Sequence, residues 1–194
     1  DLKKLIIVDD IQAPEGKVAI VVTDVQDSAT LWEYDTNAMS TAIKLHNTLF
    51  RRLLKALEGY EVKTEGDSFM VCFKQVDQAI EFCIQAQTQL LNLEWPESIL
   101  KHPSGKVEED ETGILNRGLR VRMSIHTGTP LMERDNVTQR TEYFGPVILR
   151  SAAITKSASG GQIIVSAPVW KEIEDRLKNN AYSIKLFAKF LGQV

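Results

Sequence analysis

Between Tyr60 and Phe73 two runs of strand-forming residues, Tyr60 to Thr64 and Ser68 to Phe73, flank Glu65-Gly66-Asp67, the pattern of a β-hairpin closed by a tight turn. No other feature restricts the topology as much, because the hairpin sits between two amphipathic helices. On its N-terminal side, from Met39 to Leu57, the apolar residues Ile43, Leu49, Phe50, Leu53, Leu54 and Leu57 recur at helical spacing, with Arg51, Arg52 and Lys55 opposite. On its C-terminal side the same period runs from Val76 to Leu93 through Ala79, Ile80, Cys83, Ala86 and Leu90. A β-branched run, Val18 to Val22, closes at Thr23-Asp24 and predicts a buried strand that delivers a carboxylate at its end. Leu119 to Ile125, alternating with Arg120 and Arg122, predicts another strand. After it the spacing predicts a helix over Phe144 to Ser157, a strand over Gln162 to Val165 and a helix over Ala167 to Leu177. Strand and helix alternating around one tight hairpin predict an α/β (α+β) sandwich, with helices packed on a mostly antiparallel sheet around a βαββαβ unit.

At 194 residues, with 43% apolar and 25% charged residues, the chain suits one well-buried domain, its core at about 16–190. Residues 94–117 mix Pro, Gly and the acidic run Glu108 to Glu111, and read as a surface insertion. A net charge of −3 supplies no basic footprint for nucleic acid. Cys72 and Cys83 lie in apolar runs without C-x-x-C spacing, which favours buried reduced thiols. No stretch reaches the roughly 18 apolar residues of a membrane span, and Asp1-Leu2-Lys3-Lys4 lacks signal-peptide organisation. The expectation is a cytoplasmic piece of a longer protein, with any membrane attachment carried by parts outside this chain.

Asp24 and Asp67 each sit where a strand ends or begins, so both can reach one rim of the sheet. Two carboxylates that close can hold a pair of Mg²⁺ ions, which clamp the attacking and leaving oxygens of an in-line phosphoryl displacement. The alternative is a turn aspartate at 67 and a strand-end cap at 24. Other chemistries lack their signatures: there is no G-x-S-x-G elbow, Walker A loop or G-x-G-x-x-G, and His46, His102 and His126 have no metal-ligand spacing. His126 follows a strand and reads as a packed residue.

Three longer stretches decide between these alternatives. Val22-Thr23-Asp24-Val25-Gln26-Asp27-Ser28-Ala29-Thr30-Leu31-Trp32-Glu33 resembles the first metal motif of class III nucleotide cyclases, and Tyr60 to Met70, with Lys63-Thr64-Glu65-Gly66-Asp67, resembles the second. Gly118-Leu119-Arg120-Val121-Arg122-Met123-Ser124-Ile125-His126-Thr127-Gly128 follows in the same order, so the likeness covers about Val18 to Val165. The wording, including Ala42 to Asn47 and Gly160-Gly161-Gln162-Ile163, looks most like the adenylate cyclases of fungi and related lower eukaryotes, with trypanosome cyclases a further relative.

The resemblance implies a ferredoxin-like βαββαβ core and a head-to-tail dimer, homo- or heterodimeric, with active sites at the subunit interface. It implies that ATP becomes 3′,5′-cyclic AMP and pyrophosphate with two Mg²⁺ or Mn²⁺ per site. Asp24 and Asp67 would bind the metals with the Val25 carbonyl, while the amides of Gln26, Asp27, Ser28 and Ala29 hold phosphate oxygens. Arg122 matches the family's phosphate-binding arginine; alone it would read as a solvated strand residue. From the partner subunit, Lys63 matches the lysine that donates to adenine N1, where guanylate cyclases carry glutamate. Glu142 takes the place of the aspartate that accepts from the adenine amino group. If the whole protein is of the fungal type, control by a small GTPase is implied as well.

Two positions depart from the pattern. After Gly145 the family places an asparagine four residues on and an arginine eight residues on; here they are Leu149 and Ala153. That pair orients the ribose and stabilises charge on the reacting phosphate, and neither leucine nor alanine offers a donor or a charge. Arg150 points about 100° away from Leu149 around a helix. Ser124 in place of a glycine and Ala29 in place of a threonine are milder departures at the same rim, and the triphosphate-binding lysine would lie beyond Val194. Intact metal aspartates favour an enzyme. Leu149 and Ala153 favour a dimerising regulatory or nucleotide-binding module, or a heterodimer whose other subunit supplies the missing pair.

Overall fold

A computed structural model of the protein describes residues 11–178. In chain order the elements are β1 (Val18–Val25), α1 (Ser28–Tyr34), α2 (Thr36–Ala56), β2 (Tyr60–Glu65), β3 (Ser68–Phe73), α3 (Val76–Leu90), α4 (Glu97–Lys101), β4 (Glu108–Asp110), β5 (Gly113–Asn116), β6 (Val121–Gly128), β7 (Leu131–Arg134), β8 (Thr141–Phe144), α5 (Pro146–Lys156), β9 (Ile163–Val165) and α6 (Ala167–Lys178). Asp1 to Lys4 and the end of the expected core, 179–190, lie outside the described residues.

The main sheet runs β2-β3-β1-β6-β9, antiparallel except for the β6–β9 pair. Strands β1, β2, β3 and β6 with helices α2 and α3 form the expected βαββαβ unit. β1 is buried along nearly its whole length because it has a strand on each side and helices over both faces, the setting in which a continuous apolar run is stable. Its alternation divides the interior. Ala19, Val21 and Val25 join the main core with Leu49, Phe50 and Leu53 of α2 and Ala79, Phe82 and Cys83 of α3. Val18, Ile20 and Val22 face the other way, against Tyr143 of β8 and Ile148 of α5. Asp24, two residues beyond Val22, shares that second face. Buried phenylalanines such as Phe50 and Phe82 typically contribute about 3–5 kcal/mol each, measured as truncation to alanine.

Asp35 starts α2: its Oδ1 accepts from the Ala38 amide at 2.9 Å, and its Oδ2 accepts from Ser98 at 2.7 Å, tying α4 to the helix. The backbone bond from Ala38 and then the Ser98 hydroxyl hold this carboxyl below its usual range. His46 is the polar member of the buried α2 face, its ring 4.0 Å from Phe50 and 5.6 Å from Phe69. Its Nδ1 lies 2.9 Å from Asn47 Oδ1, which assigns the proton to that nitrogen, and Nε2 has no partner among the described residues. Burial pushes the imidazole down to about 4 from 6.5. Since the folded value lies below the unfolded one, the neutral ring stabilises the fold above pH 6.5, and that contribution is lost as pH falls toward 4. Unfolding free energy from urea titration should drop by about 2 kcal/mol between pH 7 and pH 5, and His46→Leu should flatten that slope by a similar amount.

Two segments differ from expectation, and a third, after Val25, was expected only to begin a helix. Trp95 and Ile99 are buried in the main core, so the first half of 94–117 is not a surface insertion. Trp95 Nε1 donates to the Leu90 carbonyl at 2.9 Å, and a Cβ on Gly118 would come within 2.1 Å of that nitrogen. Gly118 also has φ +77, so this close approach requires glycine twice over. The acidic part forms the largely exposed β4–β5 hairpin. Next, the helix expected from Phe144 begins at Pro146, because Phe144 completes β8, which pairs with β7 in a small second sheet. Neither strand was anticipated: Leu131 to Arg134 and Thr141 to Phe144 show no apolar alternation, and pairing holds them in place. Lastly, Ser28–Tyr34 forms the short helix α1 after Asp27, which has φ 55.

Both cysteines are free and buried. Burial pushes the Cys72 thiol up to about 12 and raises Cys83 as well, so neither is primed as a thiolate nucleophile. Among the described residues no helix is long and apolar enough to cross a membrane.

Candidate active site

The turn between β2 and β3 is stitched to the end of β1. Ser68 Oγ donates to the Thr23 carbonyl at 2.7 Å, and the Phe69 amide donates to Thr23 Oγ1 at 3.3 Å. Gly66, at φ +62, lets the chain reverse there. Thr23 pairs with Phe69, so the ladder sets Asp67 at the same rim as Asp24. Asp67 Oδ2 is buried and has no hydrogen-bond partner among the described residues. An unpaired buried carboxylate oxygen is costly, and a cation would relieve it. No group of three or more His, Cys, Asp or Glu side chains gathers to hold a metal among the described residues. Two carboxylates completed by backbone, water and phosphate oxygens suit Mg²⁺ or Mn²⁺, which keep such ligands, better than zinc.

Arg122 stands directly across the β1–β6 ladder from Asp24. Its Nε donates to Asp24 Oδ2 at 2.7 Å, and Nη2 contacts the same oxygen. Arg122 is thus an ion-paired residue of the rim and not the freely solvated one its strand position alone would suggest. Beyond Val25 the chain turns into α1. The Gln26 amide donates to the Arg120 carbonyl at 2.9 Å, and Gln26 Oε1 accepts from the Gly160 amide at 2.7 Å. That commits the first of the expected phosphate-binding amides and leaves those of Asp27, Ser28 and Ala29 at the helix start. Asp27 Oδ2 accepts from Ser104 at 3.0 Å, which anchors the loop from the side of the insertion.

Lys63 and Glu142 belong to a second group. Lys63 is exposed, ion-paired with Glu65 Oε1 at 2.7 Å, and stands opposite Met70 on the face that Asp24 also uses. Glu142 is exposed on β8, opposite Glu133 of β7. β8 is fastened to β2 by Tyr60, whose hydroxyl accepts from the Thr141 amide at 3.0 Å and donates to the Thr141 carbonyl at 3.2 Å. Arg140 stacks over the Tyr60 ring and donates to the Glu61 carbonyl. No hydrogen bond or ion pair joins Lys63 or Glu142 to Asp24, Asp67 or Arg122 among the described residues.

α5 packs Ile148, Ser151 and Thr155 toward the sheet and turns Leu149 and Ala153 outward, Leu149 with 74% of its surface exposed. The outward face therefore carries no donor at either position. Arg150 is also exposed, and its charge is the second cause, after burial, that holds the His126 imidazole below its usual pKa. His126 lies four residues along β6 from Arg122. His126 itself is 5% exposed, with Nδ1 at 2.8 Å from Ser166 Oγ. Ser124 does not crowd the rim: it is fully buried, with its Oγ 2.7 Å from Thr155 Oγ1 and donating to the Ser151 carbonyl at 3.1 Å. Its hydroxyl seats α5, a role for which the glycine comparison gave no signal.

Residues 11–187 match the family model of the adenylate and guanylate cyclase catalytic domain. The chain belongs to that family. The cyclase domain is 48% identical over 169 residues to an adenylate cyclase of Mycosarcoma maydis, covering 87% of this chain and 7% of the relative. It is 45% identical over 161 residues to an adenylate cyclase of Schizosaccharomyces pombe, covering 82% and 10%. A structure of a Trypanosoma brucei adenylate cyclase in its monomeric state superposes with a TM-score of 0.77 at 28% identity, over 85% of this chain and 80% of that one. The cyclase domain thus spans a tenth or less of these two fungal relatives.

Proposed function

We propose that this cyclase domain forms cyclic AMP and pyrophosphate from ATP at a head-to-tail interface, where each site takes its metal half from one subunit and its purine-reading half from the other. The observation that carries the reading is the buried, unpartnered Asp67 Oδ2 set at the rim beside Asp24. Asp24 and Asp67, with the Val25 carbonyl, would hold two Mg²⁺ or Mn²⁺, which when bound would offset negative charge on the phosphate oxygens of an in-line displacement. The ribose 3′-oxygen attacks the α-phosphorus, its proton leaves to solvent, and the bond to the pyrophosphate oxygen breaks. Arg122 pairs with phosphate, as do the amides of Asp27, Ser28 and Ala29. Across the interface the Lys63 ammonium donates to adenine N1 and Glu142 accepts from the amino group. That separation of roles agrees with the lack of hydrogen bonds and ion pairs between the two groups among the described residues.

Leu149 and Ala153 support a second reading. A pair built from two copies of this chain lacks a donor at positions 149 and 153 of α5, so it would dimerise and bind nucleotide but turn over slowly. A heterodimer whose other subunit carries asparagine and arginine there would have one working site. Regulation by a small GTPase and attachment to a membrane would belong to segments outside this chain.

Nucleotide selectivity tests the purine assignment. The purified domain should bind Mn²⁺·ATP more tightly than Mn²⁺·GTP, and Lys63→Glu should shift that preference toward GTP by on the order of tenfold. Equal preference in both proteins would remove Lys63 from purine reading.

A further inference from the structure

We infer that Arg122 occupies the metal carboxylate Asp24 in the nucleotide-free domain, so that the cations enter together with the nucleotide and not ahead of it. The inference rests on the metal reading of Asp24 and Asp67 given above. Both of the Arg122 contacts to Asp24 fall on one oxygen, Oδ2, from Nε at 2.7 Å and from Nη2. The guanidinium cannot shed its proton, so it is a permanent positive charge beside the carboxylate. A dication arriving alone meets like-charge repulsion at short range and finds half of Asp24 taken. Asp67 Oδ2, by contrast, is buried without any hydrogen-bond partner among the described residues. The two carboxylates therefore differ: Asp67 has an oxygen without a partner and Asp24 has one held by Arg122.

The backbone offers no way to open it. β6 is fixed between β1, where Asp24 pairs with Arg122, and β9, where Met123 pairs with Ile163. Release has to come from rotation of the Arg122 side chain, which is 28% exposed against 33% for Asp24, so both groups can meet a ligand without unfolding. A phosphate chain supplies what that rotation needs, since a guanidinium pairs with phosphate in two parallel bonds. A metal-bound triphosphate delivers the anion for Arg122 and the cation for Asp24 in one event, leaving no charge without a partner. Inorganic metal alone delivers half of the exchange.

Titration of the purified chain with Mn²⁺, following the unbound ion by electron paramagnetic resonance, tests this without relying on turnover. Arg122→Gln should bind nucleotide-free Mn²⁺ about tenfold more tightly than the unmodified chain and Mn²⁺·ATP about tenfold more weakly. The two effects have opposite sign, which loss of fold cannot produce. Arg122→Ala should show the same reversal should the glutamine variant fail to fold. Parallel weakening of both affinities, or unchanged affinity for free Mn²⁺, would overturn the inference. In the Arg122→Gln background, Asp24→Asn should abolish the gain in affinity for free Mn²⁺; a gain that survives without Asp24 would overturn the metal reading itself and this inference with it.

Discussion

Leu149→Asn combined with Ala153→Arg raises cyclic AMP production from Mn²⁺ and ATP by on the order of 10³-fold or more over the unmodified chain. Phosphoryl transfer draws most of its rate from positioning and from charge placed where charge develops, so a missing ribose orienter and a missing cation together cost several kcal/mol. The scaffold that must present the new side chains is already in place. Leu149 and Ala153 lie four residues apart on the outward face of α5, Leu149 is 74% exposed, and neither supports the core. The helix is seated from its other face by Ile148 and by the Ser124–Thr155 pair at 2.7 Å. Replacing outward residues there should therefore leave the unfolding midpoint nearly unchanged. Substantial activity in the unmodified chain would mean that another cation, Arg150 first, serves the phosphate.

Asp67→Asn, placed in that activated background, returns cyclic AMP production to the level of the unmodified chain, a loss of on the order of 10³-fold. What separates this from a structural effect is stability. Asparagine keeps the shape of the turn residue and exchanges a buried, unpartnered carboxylate oxygen for a neutral amide. Thermal or urea unfolding should show the variant as stable as its parent, or up to about 1 kcal/mol more stable. Activity lost together with stability would instead make Asp67 a turn residue, the alternative its position after Gly66 allows.

The ladder order of the main sheet follows from the hairpin and its two flanking helices, since a strand, a helix, a hairpin and a second helix leave few ways to cover both faces. Strand ends and a turn place Asp24 and Asp67 at one rim, but spacing alone left a turn residue and a cap as the alternative, and only the resemblance of the surrounding motifs gave the metal reading. Arg122 was marked by the resemblance alone, and not as the partner of Asp24, since the register of two strands separated by nearly a hundred positions is not written in either. Trp95 and Ile99 were hidden by the Pro, Gly and acidic residues around them, whose composition says surface while two large apolar side chains say core. The β7–β8 hairpin was missed because mutual pairing, and the Tyr60 clamp on Thr141, hold strands with little period of their own. Ser124 was legible only as a departure from glycine, whereas its hydroxyl, in a fully buried position, finds hydrogen bonds there.

Complementation between two defective chains tests the division of the site most directly. One chain is the unmodified domain, which carries the metal half and lacks the donors on α5. The other carries Leu149→Asn and Ala153→Arg together with Asp24→Asn and Asp67→Asn. Neither chain alone should produce cyclic AMP from Mn²⁺ and ATP above background, and their mixture should, because one of the two interfacial sites in each mixed pair is then complete. A silent mixture, under conditions where the activated parent with intact aspartates turns over ATP, would contradict a site built from both chains.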